Sequence, residues 1–162
     1  MKHAFALFVG VALCALPGCS QPPQPQDTAA AVQAITAAAN REIAMFSSGN
    51  ADSVLPVFAP DAVLMPPNEA AVHGRDNLRS WAQGMYQQFS ISARYPSSDV
   101  TVAGDWAIQR YTLLMTLTPK AGGQSTEEKG KGLHIFRRQP DGGWLIVQDI
   151  WNSDTPPVVP QP

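Results

Sequence analysis

Apolar residues recur every three to four positions across residues 27–48, at Val32, Ile35, Ala39, Ile43 and Phe46. That spacing predicts an amphipathic helix with one buried stripe. Asp27 or Thr28 supplies its N-cap, and Gly49-Asn50 ends it. A second, shorter helix is predicted over residues 51–58, turning Val54, Leu55 and Phe58 inward before Ala59-Pro60-Asp61 breaks it. Two short β runs, residues 62–65 and 71–73, flank Pro66-Pro67-Asn68-Glu69. Gly74 then introduces a third helix over residues 75–89, with Leu78, Trp81, Ala82, Met85 and Phe89 on one face.

Beyond residue 90 the pattern becomes that of strands, rich in β-branched and aromatic residues and punctuated by turns. Residues 91–102 form the first, interrupted at Pro96-Ser97-Ser98, where an irregularity or an edge is expected. Ala103-Gly104-Asp105 leads to the second (106–118) and Ala121-Gly122-Gly123 to the third (126–138). Pro140-Asp141-Gly142-Gly143 leads to the last, which ends near Asn152. Hairpin-length connections predict an antiparallel meander. Helices first and strands last make the class α+β, with helices on one face of one sheet.

The first 18 residues read as an address. Met1-Lys2-His3 is a short positive region, residues 4–16 are apolar, and the run is too short to span a bilayer. Leu16-Pro17-Gly18-Cys19 resembles the bacterial lipoprotein signal box, with Cys19 the residue to be lipidated; Pro17 departs from its commoner pattern. That resemblance implies cleavage before Cys19, a lipid anchor and the cell envelope. Ser20 resembles the outer-membrane type, facing the periplasm. Residues 19–26 form a Pro/Gln tether, residues 27–156 the folded domain, and residues 157–162 a Pro-rich tail read as disordered. Only Cys19 would remain in the mature chain, so no internal disulfide is expected.

The whole chain of 162 residues carries a formal charge of −2, which provides no basic field for nucleic acid. Three histidines without metal-ligand spacing, and the lack of Gly-rich nucleotide loops or a GxSxG elbow, point to neither a metal nor a cofactor.

The runs Ser48-Gly49-Asn50-Ala51-Asp52, residues 55–67 and Val72-His73-Gly74-Arg75-Asp76 resemble the SnoaL-like, nuclear transport factor 2-like superfamily. Asp105-Trp106-Ala107 and Asp141-Gly142-Gly143-Trp144 through Asp154 resemble its branch of unknown function near the calmodulin-dependent kinase association domain. The resemblance implies a cone: a curved antiparallel sheet wrapped around the N-terminal helices, a pocket between them, and a convex face that forms homodimers. It implies isomerase, cyclase, hydratase or pure binding functions.

Ketosteroid isomerase chemistry is not expected, because alignment puts Pro66 where the base should be, Glu42 at the Tyr position and His134 near the acid position. The same alignment directs Arg110, Thr112 and Leu114 inward on one strand, His134 and Phe136 on the next, and Gln148, Ile150 and Asn152 on the last. Trp81, Met85 and Phe89 would face them, while Gln109, Tyr111, Leu113, Met115 and Trp151 would lie outside. The candidate binding pocket is therefore Glu42, Trp81, Met85, Arg110, His134, Gln148 and Asn152. Arg110 would hold an acidic or carbonyl-bearing small molecule, and His134 is the candidate acid or base. His134 also reads as a structural residue and the tryptophans as core or dimer contacts. A docking module without catalysis is the third reading.

Overall fold

The computed structural model describes residues 28–155. The signal, tether, Cys19 and tail lie outside the described residues.

Helix α1 (Thr28–Phe46) buries Ala31, Ile35, Ala38, Ala39, Glu42 and Ile43 along one stripe, so its alanine-rich side nests closely against the sheet. Gly49, at φ +74°, turns the chain, and Asn50 caps α2 (Ala51–Val54) by accepting the Asp52 amide at 3.0 Å. A 3-10 turn (Leu55–Val57) leads into β1 (Phe58–Met65), which begins earlier than the sequence pattern suggests. Strand β2 (Val72–His73) and helix α3 (Arg75–Gln88) follow, and then β3 (Phe89–Arg94), β4 (Ser98–Ala103), β5 (Trp106–Pro119), β6 (Thr126–Arg138) and β7 (Trp144–Ser153).

The sheet runs β2-β1-β7-β6-β5-β3, with β4 also on β5. β3 and β4 pair with successive halves of β5, so they are one edge strand interrupted at Tyr95, Pro96 and Ser97. That is the irregularity the proline predicts. The last three strands form the expected antiparallel meander, whereas β1 pairs with β7 in parallel, so the sheet is mixed. This long-range pairing curls the sheet around α1 and α3 into a cone.

One part of the core gathers on Ile35, Phe58, Phe136 and Ile146. The other gathers on Ile43, Tyr86, Ile91, Tyr111 and Met115. At Gly132 on β6 a Cβ would sit 2.5 Å from the Tyr111 ring and the Ile150 carbonyl, so only glycine lets that ring cross the strand.

Candidate functional site

The register of β5, β6 and β7 sets which side chains enter the cone. Gln109 lies opposite His134, and His134 opposite Asp149, across three adjacent strands. Directly opposite residues share a face, so an inward His134 brings Gln109 and Asp149 in with it. Gln109, Tyr111, Leu113 and Met115 face inward on β5, and Asp149 and Trp151 on β7.

The sequence reading is corrected by one residue on both strands. Arg110 is exposed on the outer face, its Nε donating to Asp99 on β4 at 3.0 Å. Gln148 is exposed, and Asn152, also exposed, lines only the outer groove described below. Thr112 and Ile150 likewise face out, Ile150 at 43% exposure, while Tyr111, Leu113, Met115 and Trp151 exchange the outer face for the cone. A slip of one residue reverses a whole strand, which is why the error moved these side chains together. A bulge between Ile135 and Phe136 against β7 puts both Ile146 and Asp149 inward, although they are three apart.

His134 and Phe136 do face inward, both 0% exposed, and Glu42 turns in from α1 at 5%. Trp81 lines the cavity and Met85 the groove outside it. The polar cluster thus comprises Glu42, Tyr95, Gln109, Tyr111, His134 and Asp149. The Tyr95 hydroxyl donates to Glu42 Oε2 at 2.6 Å, and the Tyr111 hydroxyl to Asp149 Oδ1 at 2.9 Å. His134 Nδ1 lies 2.9 Å from Gln109 Oε1 and Nε2 lies 3.2 Å from Asp149 Oδ1. The latter contact lacks hydrogen-bond alignment and is chiefly electrostatic.

The electrostatics divide the roles. Burial is the largest single influence and works against the His134 proton, but Asp149 and Glu42 together outweigh it and raise the imidazole above 6.5. The imidazolium then donates Nδ1–H to Gln109 Oε1 and turns Nε2 toward the Asp149 carboxyl. Glu42 behaves oppositely. Burial pushes its carboxyl up from 4.5 to about 7, with Asp149 adding to the rise and His134 and Tyr95 opposing it. Burial and the neighbouring carboxylates keep both tyrosines protonated as donors.

Glu42, Tyr95, Tyr111 and Asp149 form the polar end of a cavity of about 40 Å³, otherwise walled by apolar residues such as Phe58, Leu64 and Leu113. His134 lies behind this wall and does not line the cavity. Phe46, Trp81, Met115 and Trp151 form a throat, because they line both the cavity and a wider groove of about 720 Å³. Phe46 stacks on Trp81 at 6.3 Å, and Trp151 meets Trp81 edge-on at 6.1 Å. Trp81 is fixed by its indole N–H, which donates to Glu69 at 3.0 Å. Pro66, buried, lines the groove and offers no proton acceptor in its side chain. No cluster of metal-ligating residues occurs among the described residues.

The structure brings Glu42, Trp81 and His134, named from the sequence, close to Tyr95, Gln109, Tyr111 and Asp149, which the sequence reading did not place in the pocket. The available signal was His134 itself. A buried imidazole needs polar cross-strand neighbours, and choosing the register that provides them selects Gln109 and Asp149.

A family model described as SnoaL-like domain matches residues 39–147. Among solved structures, the chain is similar to a ketosteroid isomerase-like protein from Erwinia carotovora atroseptica SCRI1043. The two are 24% identical over 77% of this chain and 97% of that one, with a TM-score of 0.69. A nuclear transport factor 2 (NTF2-like) superfamily protein from Salmonella enterica serovar Typhimurium LT2 is 18% identical over 80% and 94%, TM-score 0.73. A Xanthomonas campestris protein named for the calcium/calmodulin dependent protein kinase II association domain is 21% identical over 77% and 87%, TM-score 0.66. At these identities the likeness establishes the α+β cone. No curated protein matches the chain.

Proposed function

We propose a small-molecule acid–base function for this chain, which belongs to the SnoaL-like domain family. The ligand's apolar body occupies the aromatic throat. The Tyr95 and Tyr111 hydroxyls turn their protons from Glu42 and Asp149 to its carbonyl or hydroxyl oxygen, and the Glu42 carboxyl takes or returns a proton. The observation that carries this reading is Glu42: a carboxyl in an apolar cavity, poised near pH 7 and held by Tyr95 at 2.6 Å. His134 acts through Asp149 as a positioning residue rather than as the base. The acidic-ligand expectation loses its anchor with Arg110 on the outer face, and the carbonyl-bearing one remains.

The test is deuterium exchange at the carbon next to the carbonyl in a panel of small apolar ketones, followed by proton NMR. Exchange should exceed buffer, rise with pH to a plateau above about 7, and fall at least 100-fold in Glu42→Gln. Exchange unchanged by that substitution overturns the acid–base role, and binding without exchange leaves a ligand-binding module.

We further propose that the domain is tethered to the cell envelope through Cys19, as residues 1–19 suggest, and that it pairs with a second copy through its convex face. Trp106, Ile108, Leu133 and Ile150 are 40–49% exposed on that face, and Leu133 and Ile150 lie directly opposite one another. Release of Cys19→Ser from the membrane fraction tests the first proposal. Sedimentation of the protein with Leu133→Lys tests the second, and a dimer that survives the charge refutes it.

A further inference from the structure

The cavity and the groove share an unusual charge pattern. Among the described residues, their walls contain five carboxyl groups, Glu42 and Asp149 inside and Glu69, Glu127 and Glu128 outside, and no lysine, arginine or histidine. Several of these charges are already answered. Asp149 has His134 at 3.2 Å, Glu127 has Lys129 at 3.6 Å, and Glu69 holds the Trp81 indole.

Glu128 differs. It forms no ion pair among the described residues, is partly buried, and is pushed by that burial above the ordinary carboxyl range. It lies opposite Met115 in the β5–β6 ladder, so it projects from the concave face beside the throat. A partly desolvated carboxylate without a counter-charge is unfavourable, and a cation supplied by a ligand would relieve it. The indoles of Trp81 and Trp151 border the same groove, and aromatic faces attract organic cations where they repel anions.

We propose that the groove selects ligands bearing a positively charged nitrogen, an organic amine or quaternary ammonium, seated between Glu128 and the Trp81 and Trp151 indoles. The ligand's apolar body then points through the throat toward Glu42. This inference rests on the pocket reading above and adds the ligand's charge to it.

Three probes with one body separate the two ideas: 3-phenylpropylamine, 3-phenylpropan-1-ol and 3-phenylpropanoate, titrated against tryptophan fluorescence at pH 8 and low salt. The amine should bind about tenfold tighter than the alcohol, and the carboxylate weakest of the three. Glu128→Gln should bring the amine to within about twofold of the alcohol while leaving the alcohol unchanged. Glu69→Gln, which keeps an oxygen for the Trp81 N–H, should lower amine affinity about two- to threefold. Equal binding of all three probes, or an amine preference that survives Glu128→Gln, overturns the charge selection and leaves the pocket standing. Failure of all three to bind removes the pocket reading and this inference together.

Discussion

Replacing Glu42 by Gln should make the protein more stable at neutral pH. The folded state holds the Glu42 proton more tightly than the unfolded chain does, since burial raises the carboxyl from 4.5 to about 7. Its contribution is therefore fully present below pH 4.5 and is lost as the pH climbs through about 7. The distance from 4.5 to about 7, at about 1.4 kcal/mol for each tenfold change in proton affinity, amounts to about 3 kcal/mol. About 2 kcal/mol of that is gone by pH 6 and nearly all by pH 8. Glutamine keeps the shape, and its amide oxygen still accepts the Tyr95 hydroxyl, but it cannot ionise. The measurement is urea unfolding by tryptophan fluorescence at half-unit steps from pH 4.5 to 8. The two proteins should agree near pH 4.5. At pH 8 the variant should unfold about 1.5–2 M higher, taking a slope of about 1.5–2 kcal/mol/M for a domain of this size. The slope with pH that remains in the variant belongs to Glu128, whose carboxyl burial also raises, and to His134, whose raised imidazole loses its stabilising proton as pH rises past 6.5. Parallel curves for the two proteins across the whole range would refute the account of the cluster. So would a variant less stable at pH 8.

Asp149→Asn removes the charge that partners a fully buried imidazolium, while its amide oxygen can still accept from Tyr111, and should cost about 3 kcal/mol at pH 6, read by the same urea titration. The penalty should shrink as pH rises through the raised titration of His134, where the imidazole gives up its proton. Gly132→Ala should cost about 2–3 kcal/mol, because its Cβ meets the Ile150 carbonyl, which is backbone and cannot swing aside. It should also displace the Tyr111 ring and alter the near-ultraviolet circular dichroism. Arg110→Ala should change stability by no more than about 0.5 kcal/mol and leave ligand response untouched, since Arg110 and Asp99 are well exposed on the outer face.

The elements of this fold were legible because their signals are local. The α1 stripe, the Gly49 stop, the break at Pro96 and the turns that join β5, β6 and β7 are each written in a short local stretch of the chain. Glu42 was legible for the same reason: it falls on the stripe between Ala39 and Phe46, so the helix carries it inside. The parallel β1–β7 pair was not legible, because nothing in residues 58–65 names a partner more than eighty positions away. Strand phase failed for a different reason. The outer face carries Trp106, Ile108, Leu133 and Ile150, while the inner face carries Gln109, Tyr111, His134 and Asp149. Apolar residues outside and polar residues inside invert the rule from which phase is read. That inversion belongs to the site itself, where hydrogen bonds replace packing.

The parallel pair also dictates when this molecule can be finished. Strand β1 waits, one flank bare, until the ribosome has delivered β7 from the far end of the chain. Folding in step with synthesis is therefore denied to the sheet, and any product ending short of β7 would offer that bare flank to its neighbours as a seed for clumping.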